Sequence, residues 1–154
     1  MSHPLDVALR PLTLPPPRGP IPHGLMEITS LVGQVADGWA LRTRTGNLET
    51  PYAPAVIQHR RWLLDQLTYR CALWAHAEDI DDPVTAIRDT YDAAPSALSL
   101  DEEDMDDYER MRVLVDALGR VAHATPALDL ADALVELAMH AATWATTITT
   151  QEQP

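Results

Sequence analysis

The sequence predicts an all-α protein, a bundle of about five helices preceded by a proline-rich extended N-terminal arm. Three observations carry that class. Apolar residues recur every three to four positions through five stretches. Proline and side-chain caps stand where several of those stretches begin. No segment reads as a buried strand. With 154 residues the chain is one domain long, and 46% hydrophobic residues suffice for a core.

Seven of the thirteen prolines lie in residues 1–22, including Pro15-Pro16-Pro17. Proline fixes φ and removes a backbone donor, so this stretch is expected to be extended rather than helical, and either disordered or docked along its own domain or a partner through Leu5, Val7, Leu9, Leu12, Leu14 and Ile21. The division that follows is an arm at 1–22, a helical domain at 23–150 and a tail at 151–154. Leu25, Ile28, Leu31, Val32, Val35 and Trp39 recur at helical spacing and predict a helix over 24–40. Gly46-Asn47 and Pro51 mark 41–53 as a loop or short hairpin. Pro54 suits the first turn of a long helix at 54–77, whose stripe is Val56, Leu63, Leu67, Cys71 and Trp74.

Asp82-Pro83 is a cap followed by proline at the first helical position, opening a helix at 83–93 with Val84, Ile87 and Tyr91 inward. Ser99 and Glu102 match a capping box before a helix at 100–123, with Met105, Tyr108, Met111, Val115, Leu118 and Ala122 as its stripe. Thr125-Pro126 repeats the cap-plus-proline signal. The last helix, 126–149, carries Leu130, Leu134, Leu137, Ala141, Trp144 and Ile148 at the near-3.5 spacing of bundle packing.

All eleven basic residues are arginine, and phenylalanine is absent, so four Trp and four Tyr supply the aromatic bulk. The lone Cys71 cannot form an internal disulfide, and its apolar helical setting predicts a buried, inert thiol. No long apolar run suggests a membrane span, and the first residues lack a signal-peptide layout; the expected location is the cytoplasm.

The net charge of −12 is unevenly placed: residues 1–77 sum to +2 and residues 78–154 to −14. The densest acidic run is Asp101, Glu102, Glu103, Asp104, Asp106, Asp107 and Glu109, preceded by Glu78–Asp82. Acids in a first helical turn are favoured by the helix dipole, but seven within nine positions repel one another. That repulsion calls for a partner, a cation or nearby arginines such as Arg60 and Arg61. A surface of this sign disfavours direct nucleic-acid binding and steers basic proteins.

The carboxylates also suggest a magnesium site. Mg²⁺ takes oxygen ligands, commonly a few carboxylates plus substrate phosphates. Glu103 with Asp106, and Asp129 with Asp132, are i,i+3 pairs that each share a helix face. Glu102-Glu103-x-x-Asp106, followed by Asp129-x-x-Asp132, resembles the two motifs of the MazG-like all-α nucleoside triphosphate pyrophosphohydrolases. The resemblance implies Mg²⁺ held by Glu103, Asp106, Asp129 and Asp132 and covers about residues 100–140. A second placement sets Leu25–Trp39, with Gly33, against the first family helix. There Ser30, Leu31 and Gln34, then Gln66 and Tyr69, stand at the ligand positions, which would leave a family-like shape without the family's metal site.

Helical geometry sets Asp129, Asp132, Glu136 and His140 largely opposite the apolar stripe of the last helix, on a polar face expected to meet solvent. A metal site there would need cover from the arm or from another chain, as in a homodimer. Glu136 and His140 share a face at i,i+4. Trp62 lies beside the main stripe of its helix and reads as an interface anchor. The leading expectation is a non-catalytic protein that binds a basic protein partner through Asp101–Glu109 and Trp62. The alternative is a Mg²⁺-dependent pyrophosphohydrolase.

Overall fold

In the computed structural model, residues 3–12, 24–44, 54–78, 80–93, 107–124 and 129–152 are described, and among them every regular element is helical. One turn, α1 (Asp6–Leu9), runs into a 3₁₀ turn at Arg10–Leu12. Five longer helices follow: α2 (Gly24–Arg44), α3 (Pro54–Ala77), α4 (Pro83–Ala93), α5 (Asp107–His123) and α6 (Leu130–Glu152). The all-α class and the bounds 54–77 and 83–93 are as the sequence predicts. Residues 13–23, 45–53, 94–106 and 125–128, which carry the Ser99 capping box and the expected Thr125-Pro126 helix start, lie outside the described residues. The first long helix runs past 40 to Arg44, and the last includes Gln151 and Glu152, which the reading gave to a tail.

α2, α3, α6 and α5 pack in ring order as a four-helix bundle, so α2 lies diagonally across from α6. The Glu27–Arg70 ion pair and the contact of Gly24 with Trp74 show α2 and α3 running antiparallel. A Cβ on Gly24 would stand 3.0 Å from the Trp74 ring, so the absent side chain is what admits the indole there. α4 and α1 lie on the outer side of α6. That covering buries nearly every side chain from Ala133 to Ala145, Glu136 being the half-buried exception. Alanines 138, 141, 142 and 145 on α6, with Ala72 and Ala75 on α3, let these two helices approach closely within one continuous core.

Local chemistry explains the ends. Asp82 caps α4: its carboxylate accepts the Thr85 backbone N–H at 3.2 Å and the Thr85 hydroxyl at 2.6 Å. Those two bonds, led by the hydroxyl, hold the Asp82 pKa below its ordinary value. Buried Thr68 and Thr143 satisfy their hydroxyls by donating to the carbonyls of Leu64 and Met139, one turn back.

Three expectations change. The N-terminal stretch is not extended throughout, because Pro4 and Pro11 leave six proline-free residues between them, enough for one helical turn. Leu5, Ala8 and Leu9 of that turn join the core against α6. Asp6 binds the Arg88 guanidinium at 2.6 and 3.0 Å. Partial burial would raise the Asp6 pKa, but the Arg88 bonds and the His3 backbone N–H outweigh it and lower the value. His3 Nδ1 accepts the Leu5 N–H at 3.1 Å, so it is Nε2 that donates to Asp92 at 2.9 Å.

The second change is in α5, whose inward line is Met111, Leu114, Ala117 and Val121; Val115 is 46% exposed and Ala122 faces solvent. The third is Leu25, assigned to the α2 stripe but exposed. Trp39, Val56, Met105, Tyr108 and Ile148, also assigned to stripes, fall outside the described side chains.

Candidate functional site

Helical spacing builds an acidic groove between α4 and α6. On α4, Ala86, Asp89, Thr90 and Ala93 fall at i, i+3, i+4 and i+7 on one face. On α6, Asp132, Val135, Glu136, Met139 and His140 repeat the same spacing. With Ile80 from the segment before α4, these faces enclose an open groove of about 530 Å³. Asp89 and Asp132 are exposed at its rim, while Val135 and Met139 are buried in the floor beside half-buried Ile80 and Ala86.

His140 lines this groove although it is only 8% exposed. Its Nε2 stands 3.6 Å from Glu136 Oε1, and Glu136 also receives both Nε and a terminal nitrogen of Arg120 on α5. Burial pushes the His140 pKa below its ordinary value. The Glu136 carboxylate opposes that shift, and the Arg120 charge adds to it. His140 is therefore neutral near pH 7, held between an anion and a cation. The polar face expected along α6 thus divides: Asp129 and Asp132 are exposed, Glu136 is half-buried and His140 is buried because α4 covers it.

The other predicted site residues scatter. Asp101, Glu102, Glu103, Asp104 and Asp106 lie outside the described residues. Asp107 opens α5 and Glu109 is half-buried in its first turn. The Arg120–Glu136 pair, near the end of α5 and the start of α6, sets the two helices antiparallel, so Asp107 and Asp129 sit at opposite ends of the helix pair. Among the described residues, no group of three or more His, Cys, Asp or Glu side chains is placed to hold a metal ion. Arg60, a suggested counter-charge for the acidic run, is buried with its guanidinium 5.4 Å from the centre of the Trp144 ring. Arg61 lies 3.9 Å from Asp65.

Trp62 is 54% exposed on α3, which lies diagonally across the bundle from α5 and Glu109. It borders a second groove, about 370 Å³, together with Met26, Glu27, Ser30, Leu31, Gln66 and Arg70 of the α2–α3 pair. Ser30, Leu31 and Gln66, which the second family placement sets at ligand positions, do meet there; Gln34 donates to Ser30 at 3.4 Å. Cys71 is fully buried, and burial raises its thiol pKa well above the usual range.

No protein-family model, curated protein or solved structure matches this chain. No helix among the described residues is long and apolar enough to cross a membrane.

The contribution of α4 was invisible to the sequence reading. Ile80 and the α4 residues Ala86, Asp89, Thr90 and Ala93 form half the groove's lining, yet only the pairing of α4 with α6 gives them meaning. The one available signal was the Glu136–His140 spacing, which locates the α6 wall but not what faces it.

Proposed function

We propose that this chain is a non-catalytic binding protein that takes a basic protein partner on its acidic C-terminal half. The α4–α6 groove supports the reading best. Carboxylates of Asp89, Asp132 and Glu136 stand over an apolar floor of Val135 and Met139. An arginine or lysine side chain fits such a surface, its aliphatic stem on the floor and its charged end at the rim. Asp89 and Asp132 have no ion-pair partner among the described residues, so their charge is available to a ligand. Asp101–Glu109 would extend the same negative field and steer association.

The test is anisotropy of a labelled amphipathic peptide carrying several arginines, against the full chain and Asp89→Asn/Asp132→Asn. Exposed ion pairs contribute about 0.2–1 kcal/mol each, so losing two should weaken binding by up to about 30-fold at low salt. Neutralising Asp101–Glu109 should slow association more than it speeds dissociation. Salt-independent binding, or equal binding of an acidic peptide of the same length, would overturn the proposal.

A further inference from the structure

The groove between α2 and α3 has a different chemistry. Met26 is 70% exposed and Trp62 54%, with Leu25 also exposed nearby on α2. Three of the five exposed large hydrophobic residues among those described thus belong to the α2–α3 pair. Trp62 is not a loose surface side chain: His59 stacks on it, ring centroids 6.0 Å apart and planes 13° from parallel. Gly33 adds a flat place on the same helix pair, since a Cβ there would meet nothing within 4 Å. Trp, Met and Arg are the residue types enriched at interface centres, and exposed apolar patches of this kind mark association surfaces.

We infer that this α2–α3 face is an isologous interface with a second copy of the same chain. Charge selects that occupant. The half of the chain supplying α4, α5 and α6 sums to −14, so most of the surface of one copy repels another. At the α2–α3 groove the charges are already paired: Glu27 of the lining holds Arg70 at 3.2 Å, and Arg61 stands 3.9 Å from Asp65 on the same helix as Trp62. A face whose charges are already neutralised in place adds no repulsion when a two-fold axis brings it against itself. A strongly cationic partner would gain nothing there and would prefer the acidic half.

Size agrees. The 21 residues of α2 are roughly 31 Å long, and two helices side by side are about 20 Å across. That strip projects to roughly 600 Å², and side chains roughen it toward the ~800 Å² per partner of a stable interface. The groove beside Leu31 and Met26 gives the indole of Trp62 from the other copy a place to enter, so the same two features serve both halves of the contact.

No residue lining the α2–α3 groove lines the acidic groove, so the two copies would each keep their acidic groove. The inference does not depend on what those grooves bind.

Sedimentation equilibrium of the full chain at tens of micromolar tests it. The wild type should show twice the 17.0 kDa chain mass, and Met26→Glu/Trp62→Glu should show a single chain mass with a retained helical circular dichroism spectrum. Val115→Glu, an equally exposed apolar site on α5, should stay dimeric, which separates a local interface from general stickiness. Trp62→Ala, milder and without a new charge, should raise the dimer dissociation constant at least about tenfold, the loss of a central aromatic anchor. A monomeric wild type, whether the face then serves another protein or none, overturns the inference. So does a dimer that survives Met26→Glu/Trp62→Glu, or one that Val115→Glu alone dissolves.

Discussion

Leu114 and Val115 are neighbours in sequence, and the register of α5 decides which of them holds the bundle together. Periodicity counted from Met111 in steps of four selects Val115, whereas the packed helix buries Leu114 completely and leaves Val115 46% exposed. Adjacent positions on a helix point about 100° apart, so the two registers cannot both be right. Leu114→Ala removes a fully buried side chain facing the core. Such truncations cost about 2–5 kcal/mol, and at about 2–4 °C per kcal/mol for a chain of this size the melting temperature should fall by about 4–20 °C. Val115→Ala should change stability by no more than about 0.5 kcal/mol, because alanine's better helix propensity offsets the little apolar burial it loses. Thermal melts followed at 222 nm, with urea titrations alongside, read both variants. A larger loss from Val115→Ala than from Leu114→Ala would refute the α5 register, and with it the outward placement of Arg112 and Asp116.

Two further outcomes follow from buried groups. His140 is held neutral when folded, its pKa below the usual value through burial in the presence of Arg120 and despite Glu136, with Asp89 and Asp132 lining the same groove. Below about pH 6.5 the unfolded chain takes up a proton that the folded chain resists, so stability is complete above that pH and declines as pH falls through it toward the folded pKa. Melts between pH 7.5 and 5.5 should therefore show a falling midpoint that His140→Gln flattens; an unchanged slope would remove His140 as the cause. Asp6 and Asp82, both lowered, lose their contribution only as pH falls below the ordinary carboxylate range and do not confuse that window. Cys71, fully buried with its thiol pKa raised, should resist iodoacetamide in native buffer and react fully in denaturing guanidinium; rapid native alkylation followed by mass spectrometry would contradict its placement.

Much of the helical layout was legible because it is written in local chemistry. Pro54 and the Asp82–Pro83 pair fix where α3 and α4 begin, since a proline at a first helical position and a capping carboxylate act within a few residues. Leu63, Leu67 and Cys71 are legible because they recur every four residues along the buried side of α3, which Leu64, Thr68, Ala72 and Ala75 widen. What failed depended on distant elements. Docking of Leu5 and Leu9 is one of the two outcomes their apolar character allows, but the helical turn that presents them depends on the surface of α6, which counting prolines cannot see. His140 looked solvated because α6 was read as a two-faced helix, whereas α4 and α1 cover its outer side. The candidate site was legible on its α6 wall alone.

A C-terminal half at −14 must fold against its own repulsion, and the described ion pairs show where that repulsion is relieved. Arg120 neutralises Glu136 from α5, and Arg88 of α4 turns to Asp6 of α1 instead of to the carboxylates of its own groove. Asp89 and Asp132, facing the groove from α4 and α6, are left without ion pairs among the described residues. Closing the groove would bring these like charges together in a less polar setting, where their repulsion grows. A cation entering between them removes that cost while adding its own attraction. The charges that oppose closing of the groove are thus the same ones that would recognise a cationic ligand, and any such ligand bound by the folded chain alone would also stabilise the packing of α4 on α6 by mass action.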